Sequence, residues 1–306
     1  MKPEPVIIDT DPGIDDALAL AIALFSPELD VRLITTVAGN VGIDYTTQNA
    51  LRLLTYFGKR VTVARGSSEP LLRKLHDASS VHGKTGMEGF DFPNPDWSLL
   101  SKRNAVDEMR SVILESEAKI TLVPIGPLTN IALLFKTYPE VREHIERIVM
   151  MGGSASRGNH GVMSEFNIDV DPEAAKIVLH SGVPIVMAGL DVGLKALVLP
   201  EDSAQLPAMG RVGVMAYELF KKYRGGSFNT GLKMYDSSAI ACLLAPDLFE
   251  FTDTYVDVET HGTLTSGCTV VDFKGYLKQT PNVKVAVDID SEQFRVWFLD
   301  SVRRCA

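Results

Sequence analysis

The chain has 306 residues, 45% of them hydrophobic, with 30 basic against 39 acidic side chains and a formal net charge of −9. That is ample apolar material for a large α/β domain, and an acidic chain with no basic stripe argues against a nucleic-acid partner, which needs cations to neutralise phosphates. Cys242, Cys268 and Cys305 are odd in number and too scattered for a disulfide framework or a metal pair, and no apolar run reaches the ~18–20 residues of a membrane span.

The first five residues run straight into a strand with no signal peptide, so a reducing cytoplasm and no membrane partner are expected. Strands are predicted at 6–8, 31–38, 61–64, 120–123, 148–151 and 183–188, with helices at 15–25, 45–57, 104–116, 128–136 and 172–181 between them. The strands are almost continuously apolar, which implies burial on both faces: an open, mostly parallel sheet flanked by helices. Residues 76–100 and the Gly-rich segment 223–234 break the rhythm and are candidates for a lid or binding loop. A helical run at 237–244 follows. From about 252 the pattern turns to strands at 255–258, 268–273 and 283–287, predicting a small antiparallel C-terminal portion closed by a helix at 291–303. No repeat, low-complexity tract or linker interrupts the chain, so 1–306 is expected to form a single domain.

Parallel α/β sheets bind ligands at the carboxyl ends of their strands. Residues 9–16, Gly39-Asn40, Pro124-Ile125-Gly126, Gly152-Gly153 and Gly189-Leu190-Asp191 are therefore expected to converge. The first group is the most informative: Asp9-Thr10-Asp11-Pro12-Gly13-Ile14-Asp15-Asp16 places four carboxylates on a strand-to-helix turn. One Asp there is explained by helix capping; four repel one another and raise each other's pKa. Oxygen-only donors suit a hard divalent cation, Ca²⁺ or Mg²⁺. An EF-hand loop counted from Asp9 fails, because its Gly and Glu places hold Ile14 and Leu20. Asp9-Thr10-Asp11 also resembles the opening of haloacid-dehalogenase-type phosphotransferases, but Gly13 stands where that family has Thr or Val, and Asp15-Asp16 is left unexplained. Elsewhere the residues alone leave alternatives open. Asp236 reads as a helix N-cap or a ligand. Pro124 biases Val123 toward an extended backbone whose carbonyl either faces the site or ends the strand. Glu165 and Asn167 face one way if their segment is extended.

The string from Asp9 to Ala17 resembles the signature of the inosine–uridine nucleoside hydrolases. The likeness continues in order through Val37-Ala38-Gly39-Asn40, Val81-His82-Gly83, Leu122-Val123-Pro124-Ile125-Gly126-Pro127-Leu128-Thr129-Asn130, Met150-Met151-Gly152-Gly153, and Glu165-Phe166-Asn167-Ile168 with Asp171-Pro172-Glu173-Ala174-Ala175. Within the family it is nearest to the bacterial ribonucleoside hydrolases of broad purine and pyrimidine range. The resemblance implies a Rossmann-like nucleoside hydrolase fold and Ca²⁺-dependent cleavage of the N-glycosidic bond of ribonucleosides (uridine, cytidine, inosine and other purines) to ribose and free base in nucleoside salvage. It also implies a homodimer or homotetramer. Asp11, Asp16, the backbone carbonyl of Val123 and Asp236 are implied to hold Ca²⁺, with Asp11 also the base toward water. Asp15, Asn40, Asn159, Glu165 and Asn167 are implied to grip the ribose hydroxyls, with His82 near the base. Such a reaction passes through an oxocarbenium-like sugar, and a site built to bond a hydroxyl rejects a substrate lacking it by about 10⁴-fold or more. Met150 and Met151 read most simply as strand-core residues, contact with the sugar being the alternative for Met151.

Two stretches depart from that pattern. Tyr235-Asp236 stands where many members have His-Asp, the His being implied to serve the departing base. A phenol with an ordinary pKa of about 10 donates a hydrogen bond but is poorly suited to cycling a proton near neutrality. This puts purine release in question, although Tyr235 reads equally as a ring that only fills space, and a nucleoside- or ribose-binding protein with weak or lost catalysis is the alternative reading. Asp191-Val192-Gly193-Leu194-Lys195 replaces Asp-Val-Thr, Asn or His, then Gln. His180 reads as a surface or packing residue, and His76, His144, His160 and His261 show no ligand spacing.

Overall fold

Val6, Ile7 and Ile8 are all shielded from water, but they serve two different cores. Val6 and Ile8 join one apolar cluster and Ile7 the other, as alternation along a strand requires. This strand lies in the sheet at the centre of the computed structural model, which describes residues 2–305. The sheet has eight strands: β1 (Glu4–Thr10), β2 (Leu29–Thr36), β3 (Val63–Arg65), β4 (Ile120–Pro124), β5 (Ile145–Met151), β6 (Ile185–Ala188), β7 (Phe249–Thr254) and β8 (Val283–Ile289). Their lateral order is β7-β8-β6-β5-β4-β1-β2-β3, parallel throughout except for the antiparallel edge pair β7–β8.

Helices Ile14–Phe25, Ile43–Phe57, Gly210–Phe220, Tyr235–Leu244 and Ser291–Arg304 cover one face; Ala105–Glu115, Thr129–Thr137 and Pro172–Leu179 cover the other. This is the parallel α/β architecture expected from the apolar runs. No helix among the described residues is long and apolar enough to cross a membrane.

The C-terminal region differs from expectation in one respect. The small antiparallel piece pairs Val256–Val258 with Thr269–Val271. The strand predicted at 283–287 instead extends to Ile289 and enters the main sheet beside β6. Its outer neighbour β7 was not predicted, because Phe249-Glu250-Phe251-Thr252-Asp253-Thr254 alternates like a solvated edge instead of forming an apolar run. A second small sheet joins Leu197–Val198, Gly231–Lys233 and Gly226–Ser227.

Strand order places the site. From β1 the chain steps outward to β2 and β3; from β4, on the other flank of β1, it steps the opposite way to β5 and β6. The connections leaving β1 and β4 therefore diverge, opening a crevice at their carboxyl ends. Ile8 pairs with Val123 and Asp9 with Pro124 just below it.

Candidate active site and metal centre

Not all four N-terminal aspartates meet. Asp9, still within β1, is turned away: its Oδ1 accepts from Asn130 Nδ2 at 2.8 Å and from Thr35 Oγ1. Burial raises its pKa to about 7 against the pull of those donors. Asp11, past the strand end, is wholly buried. Its Oδ2 accepts from the Asn40 backbone N–H at 2.6 Å, whereas its buried Oδ1 has no hydrogen-bond partner among the described residues. Gly39 and Gly126 flank this carboxylate so closely that a Cβ would stand 2.1 Å from Oδ2 or 2.5 Å from Oδ1.

Asp15 and Asp16 occupy the first turn of helix Ile14–Phe25, where the helix dipole favours negative charge. Asp16 closes that turn by accepting from the Gly13 N–H at 2.9 Å, and takes further hydrogen bonds from Asn40 Nδ2 at 3.0 Å and Thr10 Oγ1 at 2.6 Å. Asp236 comes from the far end of the chain, in the first turn of helix Tyr235–Leu244 and not at its N-cap. That helix lies against Ile14–Phe25, and carboxylate oxygens of Asp15, Asp16 and Asp236 come within 4.8 Å of one another.

Burial, followed by repulsion from neighbouring carboxylates, raises the pKa of Asp11 and Asp236 well above the ordinary range and that of Asp15 to about 7. Asp16 is raised by burial despite its hydrogen bonds. Among the described residues no Lys or Arg forms a salt bridge with any of these four. An all-oxygen donor set, an unpartnered buried oxygen and no internal counter-charge together fit a hard divalent cation.

The acids underlie a cavity of about 710 Å³ counted out to its mouth, within the range of small-molecule sites. Asp15, Asn40, Ile125, Met151, Glu165, Asn167 and Asp236 line its buried part, His82, Val81, Tyr223 and Tyr235 its flank, and Asp77, Ala78, Ser80, Asn159, His160 and Phe166 its more exposed rim. Glu165 and Asn167 were expected on an extended segment. Instead Glu165 is the N-cap of the short helix Phe166–Val170, its Oε2 accepting from the N–H groups of Asn167 and Gly153 at 3.0 and 2.9 Å. Its burial raises it to about 7. Asn167 spends its amide nitrogen on the carbonyls of Ile125 and Met151, each at 3.1 Å. Asn159 accepts from the Phe166 N–H at 3.0 Å, leaving its NH₂ free to donate. His82 Nδ1 accepts from the Ile14 N–H at 3.1 Å, so the neutral ring carries its proton on Nε2; burial lowers its pKa to about 4.

Val123 and Ile125 stand differently toward the cavity. Val123 is paired with Ile8 inside the sheet, and the backbone segment at the cavity is two residues further on. Ile125 donates its N–H to the Asp9 carbonyl at 2.8 Å, lines the cavity and turns its own carbonyl toward Asn167. The next residue, Gly126, is the one packed against Asp11 Oδ1. Pro124 is the last residue of β4, and Ile125 is the first residue past it whose atoms line the cavity. Asp191, expected to converge on the site, instead holds the loop after β5, accepting from the N–H of Ala155 and from Ser156 Oγ, each at 2.6 Å. Tyr223 was hidden in the Gly-rich segment; its ring meets His82 at 5.5 Å.

The two departures noted in the sequence touch each other. A Cβ on Gly193 would stand 2.5 Å from Cδ1 of Tyr235 and 3.3 Å from Cε1. Gly193 thus vacates the space that the Tyr235 ring fills. Lys195 plays no part there; it pairs with Asp288 on β8 at 2.6 Å. Burial, with the charges of Asp15 and Glu165, raises the phenol pKa further, so Tyr235 stays protonated.

A switch-point crevice with buried acids below and paired amides and carboxylates around it is a site for a small polar molecule. The family model described as inosine-uridine preferring nucleoside hydrolase matches residues 6–296. The chain is 53% identical over 293 residues to a protein of Klebsiella pneumoniae subsp. pneumoniae called non-specific ribonucleoside hydrolase RihC, covering 96% of each chain. It is 52% identical over 301 residues to the protein of the same name from Salmonella agona, covering 98% of each. Among solved structures, the purine-preferring ribonucleoside hydrolase from Gardnerella vaginalis superposes with a TM-score of 0.91 at 29% identity, covering 99% of both chains. This chain belongs to the inosine–uridine preferring nucleoside hydrolase family, whose members are N-ribosyl hydrolases.

Two outcomes follow from this geometry. Asp15 and Glu165, raised to about 7, keep protons in the folded chain that the unfolded chain gives up near its ordinary carboxylate pKa of about 4. Folding therefore takes up protons between about pH 4 and 7, and the metal-stripped protein loses stability as pH rises through that window. Melting temperatures of chelated protein should fall from about pH 5 to about pH 8, and millimolar Ca²⁺ should raise them most at the higher pH. Separately, Gly193→Ala should cost about 1–3 kcal/mol by overpacking. In the Tyr235→Ala background most of that cost should vanish, as read by a urea-unfolding double-mutant cycle.

Proposed function

We propose that this chain hydrolyses ribonucleosides to ribose and free base in a Ca²⁺-dependent reaction and releases pyrimidines more readily than purines. The observation that carries the reading is the meeting of Asp236 with the N-terminal acids beneath a nucleoside-sized cavity, with Asp11 Oδ1 buried and unpartnered. Asp11, Asp16, Asp236 and the carbonyl of Ile125, in place of Val123, are the residues that would hold Ca²⁺. When bound, Ca²⁺ keeps these carboxylates ionised and makes a nearby water more acidic.

Asp11 takes the proton of the attacking water, and Gly39 and Gly126 leave its carboxylate no room to turn aside. Asn40 orients the acids, since its two nitrogens are committed to Asp11 and Asp16. Asp15, the free oxygen of Glu165, the side-chain oxygen of Asn167 and the NH₂ of Asn159 supply the acceptors and donors that ribose hydroxyls require. Met151 forms apolar wall against the sugar. Asp15 and Glu165 also lend negative charge to a sugar that becomes positive as the base departs.

His82 and Tyr235 face the departing base as neutral hydrogen-bond donors, through Nε2–H and the phenolic O–H. Neither is poised to protonate a base at neutral pH. Uracil leaves as an anion spread over its two carbonyls and depends least on such a proton; a purine depends on it more.

The test is ribose release from uridine, cytidine, inosine and 2′-deoxyuridine by the native chain and by Tyr235→His. The native chain should prefer uridine to inosine and reject 2′-deoxyuridine by about 10⁴-fold. Activity should disappear on exhaustive chelation and return with Ca²⁺. Tyr235→His should raise inosine cleavage more than uridine cleavage. Full turnover after chelation, or nucleoside binding with no ribose released, would overturn the proposal, and equal gains for both bases would remove the role given to position 235.

A further inference from the structure

The histidines showed no ligand spacing along the chain, yet folding brings two of them together. His76 comes from the segment between β3 and the short helix Ser79–His82, and His160 from the loop between β5 and helix Phe166–Val170, which carries Asp169. The two imidazoles stack with centroids 4.7 Å apart and planes 11° from parallel, both edge-on to Phe166. Asp169 Oδ2 stands 2.7 Å from His160 Nδ1 and 3.1 Å from His76 Nε2. The first contact is a hydrogen bond; the second is not aligned as one, so the buried His76 Nε2 has no hydrogen-bond partner among the described residues.

We propose that His76, His160 and Asp169 bind a divalent ion of the zinc class at the rim of the cavity, separate from the acidic centre. One ligand atom from each lies within 4.8 Å of the other two. Because an imidazole nitrogen binds a metal in the plane of its ring, ligation turns the two rings out of their parallel stack until both nitrogens point at one ion. Two imidazole nitrogens and one carboxylate oxygen suit a borderline first-row ion, whereas the all-oxygen acids suit a hard one. No fixed cation competes: Arg73, the nearby guanidinium, is committed to Glu173 in a two-bond pair at 2.9 and 2.8 Å. Three protein ligands leave a coordination position for water. The ion joins two segments far apart in the chain, the one before helix Ser79–His82 and the one around helix Phe166–Val170. His160 lines the cavity beside Asn159, and Asp169 sits one helical turn beyond Glu165, its N–H bonded to the Glu165 carbonyl at 2.9 Å. The site stands on its own residues and does not depend on the reaction proposed above.

The experiment titrates Zn²⁺ into the full chain in excess Ca²⁺, which keeps the acidic centre filled, against a chromophoric zinc indicator. The native chain should take up one equivalent. Loss of an outer-shell partner alone costs about 10–100-fold in metal affinity, so removing a ligand by His76→Asn or Asp169→Asn should weaken uptake at least about tenfold. His76 is 37% exposed, so His76→Asn should keep the native melting temperature and ribose release measured without zinc. Co²⁺ added to the native chain should develop the visible absorption of an imidazole-ligated ion, which requires no substitution. Equal zinc uptake by the native chain and His76→Asn, no uptake by the native chain, or no cobalt band would each overturn the proposal.

Discussion

The constraint on which the molecule turns is a charge without an answer. Asp11, Asp15, Asp16 and Asp236 are all buried, and no lysine or arginine among the described residues pairs with them. Isolated buried carboxylates cost far more than any one packing contact returns, so groups in this state either take up protons or recruit a cation. The structure around them is arranged to keep both options open. Asn40, Thr10 and the Gly13 N–H hold Asp16 and one oxygen of Asp11, leaving the other oxygen of Asp11 uncommitted.

Everything that positions this cluster follows from strand order. Because β1 and β4 are neighbours whose connections leave in opposite directions, the turn after β1 and the turn after β4 line the same crevice. Helix Ile14–Phe25 then fixes Asp15 and Asp16 by its first turn, and the packing of helix Tyr235–Leu244 delivers Asp236 from the far end of the chain. The groups proposed to meet the sugar arrive on a shorter device, the cap of helix Phe166–Val170, where Glu165 and Asn167 are held by backbone hydrogen bonds in place of a strand.

What could be read in advance follows physical lines. Strands apolar on both faces announce a parallel sheet, and β1, β2 and β4 to β6 were legible for that reason. The edge strand β7 mixes Phe with Glu, Thr and Asp, and nothing local says that it closes the sheet. In the site, a run of aspartates on a turn is a strong signal. Asp9 was indistinguishable from its neighbours until the strand end was known, since one residue of register decides which way a side chain points. The Ile125 carbonyl, proposed in place of that of Val123, had no signature of its own in the sequence, because a backbone oxygen carries none; only its neighbour Pro124 hinted where the strand stops. His76 and His160 gave no signal, because contacts between distant loops leave no periodicity behind.

The missing side chain of the glycine at position 193 is what admits the aromatic ring at 235. Any side chain at 193 and the ring at 235 compete for one volume, although 42 residues of chain separate them. The two positions therefore act as a single steric unit on the wall of the cavity, and a redesign of that wall has to change them together.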